Sequence, residues 1–192
     1  MWSSKDLTLV TVMAALGAVT AASIVQMGYI FTGLPGVNCI FIIFLAIQTG
    51  FSLLIYQGRR WRFFAQMTIF SFLIIPTGLA GAPFDFIGKF NYAIAGFFVD
   101  LIANSVYNYF RKQNKLRLWS IFSGGFLFWT IQPIISVALL VAFYAPSVAS
   151  TYTSILSILY PLFFIEAISG SYTGYKIYKR IYKEKPAEST FY

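Results

Sequence analysis

The side chains of this chain that could do chemistry are few and sit in unusual places. Asp85 and Lys89 lie four residues apart, Asp100 follows in the same apolar stretch, and Glu166 stands alone inside another. Ionisable groups inside apolar runs are costly, so each is a candidate site for a ligand or a proton. Neutral partners are close by: Tyr92 one turn beyond Lys89, and Trp129 with Gln132 beside Pro133 and Ser136. A tryptophan and an amide one turn apart can stack on and hydrogen-bond a flat, partly polar molecule, although plain packing explains a tryptophan equally well. Asp85 and Lys89 could equally be a solvated pair at a membrane surface, and Asp100 or Glu166 a hydrogen-bonded carboxyl holding two helices together.

Other chemistries are disfavoured. The sequence has no histidine and one cysteine, Cys39, so zinc ligation, histidine-assisted nucleophiles and an internal disulfide are not expected. No Walker loop is present, so any ATP must be hydrolysed by another chain. Isolated carboxylates without acid/base or metal-ligand spacing argue against an enzyme, and no cofactor is expected.

The elements that must position these residues are membrane helices. The 192 residues are 58% hydrophobic and 10% charged, with a mean hydropathy of +0.72, far from the roughly 25% charge of soluble domains. Six apolar segments can be marked at about 7–31, 38–57, 63–80, 90–110, 118–145 and 152–177, separated by Gly/Pro or basic punctuation. We therefore expect an all-α polytopic membrane protein, one integral domain over 1–192 built as a six-helix bundle. Of the fourteen Lys and Arg, all but Lys89 fall on the side that carries the N-terminus. The positive-inside rule then places both termini in the cytoplasm. Cleavage of a signal peptide after Ala21 is disfavoured because the apolar run continues to Phe31, beyond a usual signal core.

Within segment 7–31, Ala14, Ala18 and Ala22 recur every fourth residue and make one smooth helix face, read here as a docking surface for another membrane helix. The outer connection from Gln26 to Asn38 contains Gly33-Leu34-Pro35-Gly36. With Gln26, Tyr29 and Asn38 it is either a second ligand-facing loop or a plain interfacial turn. Pro76, Pro133 and Pro161 are expected to bend their helices.

Lys5-Asp6-Leu7-Thr8 leading into Ala14-Ala15-Leu16-Gly17-Ala18, the Gly81-Ala82-Pro83 entry to the fourth segment, and the basic end from Gly170 to Arg180 together resemble the substrate-binding S components of energy-coupling factor (ECF) transporters. The resemblance implies a prokaryotic cell-membrane protein that captures a vitamin, vitamin precursor or similar small heterocycle. It implies two kinds of partner, a transmembrane T component docked on Ala14, Ala18 and Ala22, and two cytoplasmic ATPases. It also places the pocket toward the outer side, around Gln26, Tyr29, Asn38, Asp85, Lys89, Tyr92, Trp129, Gln132 and Glu166. The metal-specific branch, whose members rely on an N-terminal histidine, is disfavoured because this chain has none, so no metal is expected. The alternatives are a self-sufficient ion-coupled permease using Asp100, Glu166 and Lys89, and an integral membrane enzyme acting on lipids.

Overall fold

The computed structural model describes residues 2–32, 41–79 and 83–182. Within them the chain is helical and contains no strand. We number the helices α1 (Ser4–Thr32), α2 (Ile43–Tyr56), α3 (Arg62–Leu73), α4 (Phe86–Lys112), α5 (Leu116–Phe143) and α6 (Pro146–Ile181). Four of them, α1, α4, α5 and α6, are long and apolar enough to cross a membrane.

The two remaining expected spans are shorter than the sequence suggests. At about 1.5 Å per residue, the 14 residues of α2 and the 12 of α3 reach only about 21 and 18 Å. The third apolar segment was expected to run to residue 80 with a bend at Pro76. The helix instead stops at Leu73, because Pro76 has no amide to donate and disfavours helical backbone in the residue before it. Pro133 and Pro161 do lie inside their helices.

Local chemistry explains the helix ends. Ser3 and Asp6 form a reciprocal capping box at the start of α1, and Asp85 accepts from the Gly88 amide at the start of α4. Lys112 and Arg111 close α4, and Lys179 and Arg180 close α6, where cations oppose the negative end of the helix dipole. α1 and α5 each contain a wide five-residue-bonded turn, at Ala21–Val25 and Ile121–Leu127, which shifts the face the helix presents on either side of it.

The helices close into a ring in the order α1, α3, α4, α5, α6, α2 and back to α1. The tightest seam joins α2, α5 and α6, where small residues let backbones meet. A Cβ added at Gly50 would lie 2.8 Å from the Ser171 Cα, and one at Gly174 would strike the Ile47 carbonyl oxygen. Aromatic edges fill the opposite side, with Phe63 against Phe128 and Phe70 against Tyr92.

The docking face expected on α1 is divided. Ala14 is fully buried with Gly17 and Ala21 in the chain's own core, Ala18 is half-buried, and Ala22 is exposed. Ala14 is therefore used inside the bundle, since α1 needs an apolar inward face against α3 before it can offer one to a partner.

Candidate functional site

The four acidic residues described, Asp6, Asp85, Asp100 and Glu166, share one role. Each accepts hydrogen bonds at the start of a helix. Asp6 belongs to the α1 capping box and pairs with Arg59 and Arg62 of the α2–α3 turn at 2.9 and 3.0 Å. Asp100 reaches sideways from the middle of α4 to the first turn of α3, accepting from the Trp61 amide at 3.0 Å and the Phe64 amide at 2.9 Å, and Asn104 donates to the same carboxylate. Glu166 reaches from α6 to the first turn of α2, accepting from the Ile43 amide at 3.1 Å.

The physical reason lies in the short helices. A helix start leaves up to four amide donors without partners, and α2 and α3 begin beside longer neighbours with no side-chain cap of their own. Trp61 even takes a left-handed backbone, φ 70°, to enter α3. A carboxylate from the adjacent long helix supplies charged acceptors there and faces the positive end of the dipole. Glu166 is thus placed against a helix terminus, which is the structural of the two roles open to it from sequence.

Of the two readings open for Asp85 and Lys89, the solvated pair does not hold for the lysine, while Asp85 is half-buried. Lys89 is fully buried, with the Asp85 carboxylate as nearby counter-charge. Asp85 also receives the Tyr144 hydroxyl, tying the start of α4 to the end of α5. Burial, then the Asp85 hydrogen bond and charge, push the Tyr144 phenol up to about 12. Its folded value lies above the free one of about 10, so this link contributes fully below pH 10 and is lost as pH rises through 12. Tyr144→Phe should consequently flatten the fall in unfolding temperature between those values. An identical alkaline fall in both proteins would show that the link carries no stability.

Near Lys89, a neutral polar seam runs between α4 and α5. The Asn91 amide and the Gln132 amide, the latter at 3.3 Å, both donate to the Ser136 hydroxyl, and all three residues are buried. Trp129 lies one turn from Gln132 on α5 and, with Tyr92, lines a cavity of about 10 Å³ at the centre of the ring, room for about one water molecule. Gln48 and Thr49 of α2 and Gln66 of α3 complete its polar wall, with Leu45, Met67, Phe70 and Phe128 as its apolar part. Gln66 accepts from the Tyr56 hydroxyl at 2.7 Å, and Gln48 donates to the Met13 carbonyl.

Two groups on this seam stand out. The Trp129 indole N–H and the Asn91 side-chain carbonyl are buried without a hydrogen-bond partner in the protein. A buried donor or acceptor left unpaired costs about 1–3 kcal/mol.

No family model, curated protein or solved structure matches the chain.

Of the residues expected at a site, Tyr92 and Trp129 line the central cavity; Gln132 is buried one turn beyond Trp129 on α5, and Lys89 is buried one turn before Tyr92 on α4, with Asp85 as its counter-charge at the start of that helix. Gln26 lies elsewhere, its amide beside Gly78 after α3. Tyr29 falls in the last turn of α1, and its side chain and Asn38 lie outside the described residues. Asn91, Gln48 and Gln66 were not foreseen. Their signal was present: each is an amide within an otherwise apolar run, which is as unusual in a membrane helix as an isolated carboxylate.

Proposed function

We propose that this chain is the substrate-capture subunit of an ECF-type importer in a prokaryotic cell membrane, taking up a vitamin, vitamin precursor or similar small heterocycle. The observation that carries the reading is the buried, unpaired indole N–H of Trp129, a residue that lines a cavity walled by aromatics and neutral amides, together with the unpaired side-chain carbonyl of Asn91, next in sequence to the cavity-lining Tyr92. A small planar molecule with both a donor and an acceptor would satisfy them. The commitment of Asp100 and Glu166 to helix starts favours this reading over an ion-coupled permease, which needs carboxylates free to exchange protons.

The cavity as it stands holds about one water, so capture requires a second, opened form. Pro133 leaves α5 one backbone hydrogen bond short beside the seam, and opening is assigned there. In this scheme both termini are cytoplasmic, all six helices cross or enter the bilayer, and a T component with two ATPases drives release. The T component docks on the outward side of α1, where Ala22 is exposed and Ala18 borders the surface.

Native mass spectrometry of the gently extracted chain is the test. A stoichiometric small metabolite is expected, and Trp129→Phe, which keeps an aromatic ring but removes the N–H together with the five-membered part of the indole, should weaken its retention about tenfold. Bound lipid alone in repeated preparations, with no T component or ATPase co-purifying, would sink the proposal.

A further inference from the structure

The basic end of the bundle carries more charge than its helix ends require. The last turn of α4 presents Arg111 and Lys112, the first turn of α5 Lys115 and Arg117, and the last turn of α6 Lys179 and Arg180, all exposed. The three elements are fixed together beneath these charges. Tyr107 of α4 meets Trp119 of α5 edge-to-face at 4.9 Å, the Trp119 indole donates to the Ala103 carbonyl at 3.0 Å, and Ser120 donates to the Ser171 carbonyl of α6 at 3.3 Å. Tyr178 is buried one to two turns further along α6.

Helix dipoles account for a cation or two at each C-terminus. They do not account for Lys115 and Arg117, which stand at the start of a helix, where positive charge is unfavourable. Nor do the six cations neutralise acids among the described residues, where the ion pairs are those of Asp6 with Arg59 and Arg62 and the other carboxylates cap helices. The next surface inward is apolar and exposed, with Leu118 at 45% on α5 and Ile177 at 37% on α6. An occupant must therefore offer negative charge to the cations and hydrocarbon to the adjoining helix faces at once.

We infer that the junction of α4, α5 and α6 at the basic end is a binding site for the phosphate headgroup of an anionic phospholipid. Basic residues gathered between membrane helices on the cytoplasmic side are suited to such headgroups, each worth about 1 kcal/mol near an anionic surface. Arginine pairs phosphate oxygens through two N–H groups, and lysine adds a mobile point charge. The acyl chains then lie along Leu118 and Ile177. A soluble phosphate compound would meet the charges but leave the apolar border uncovered.

The test uses the full chain in nanodiscs holding equal phosphatidylglycerol and phosphatidylcholine, with retained lipids counted by native mass spectrometry. The wild type is expected to keep phosphatidylglycerol about fivefold or more over phosphatidylcholine. Replacing Lys115, Arg117, Lys179 and Arg180 together by Gln should bring that ratio close to one. Arg59, Arg60 and Arg62, which help set orientation, are untouched in this variant. A control that exchanges Lys and Arg at the same four positions should keep the preference, which separates lost charge from lost folding. Equal retention of both lipids by the wild type overturns the inference, as does an unchanged preference in the Gln variant or its loss in the exchange control. Stripping of phosphatidylglycerol by millimolar inorganic phosphate at matched ionic strength would assign the charges to a free anion instead.

Discussion

Gly174→Val is expected to leave little monodisperse protein after extraction and to destabilise what remains by at least about 3 kcal/mol. Gly174 lies on α6 where that helix crosses α2, and even a single added carbon would strike the Ile47 carbonyl and approach the Phe51 amide at 2.9 Å. These are backbone atoms of a neighbouring helix and cannot rotate away, so relief requires α2 and α6 to separate along the seam that also holds Gly50, Gly124 and Gly170. Separation forfeits dispersion contacts along both helices, and in lipid no hydrophobic effect compensates. Ser169→Val on the exposed side of α6 is the control and should leave the unfolding temperature unchanged. Equal thermal unfolding of Gly174→Val and wild type in the same detergent would mean that the seam is not tightly closed.

Asp100→Ala is the second large effect. The substitution removes the acceptor for the Trp61 and Phe64 amides, at 3.0 and 2.9 Å, and strands both at a helix start with no other side-chain cap. A loss of about 3 kcal/mol is expected, since hydrogen bonds to a charged group contribute about 1.5–3 kcal/mol and a buried unpaired donor carries its own desolvation cost. Asp100→Asn keeps one acceptor oxygen and should fall between Ala and wild type. Thermal unfolding of the three proteins decides the matter. A stable Asp100→Ala would refute the capping role, and a stable Asp100→Asn that no longer retained a ligand or transported would return Asp100 to the functional site.

These two residues show where sequence reasoning carries and where it stops. The helical spacing of Lys89, Tyr92 or Ala93, Gly96, Asp100, Asn104 and Asn108 points to one face of α4; the residues from Lys89 to Asp100 on it are buried, whereas Asn104 is half-buried and Asn108 exposed. That inference needs only the 3.6-residue period and the cost of exposing polar groups to lipid. It could not say what lay opposite. Lys89 reads from sequence either as a ligand contact or as half of a solvated pair with Asp85; in the structure the close of α5 brings Tyr144 to Asp85 and the lysine is buried. Ala14 reads as a partner surface because small residues at every fourth position suit any close helix contact. The pattern does not distinguish a contact within the chain from one between chains, and here Ala14 is buried within the chain's own bundle.

Composition and periodicity by themselves determined that this chain is helical and apolar enough for a membrane, and placed its basic residues at one end, because those properties follow from each segment's own side chains. The tertiary structure alone decided the fate of the buried carboxylates and amides. Helices α2 and α3 are too short to bring their first turns level with their neighbours, and the amide donors exposed there had to find acceptors on α6 and α4. Which side chain meets which recessed helix start depends on how six lengths and crossings fit together, information that no single segment contains.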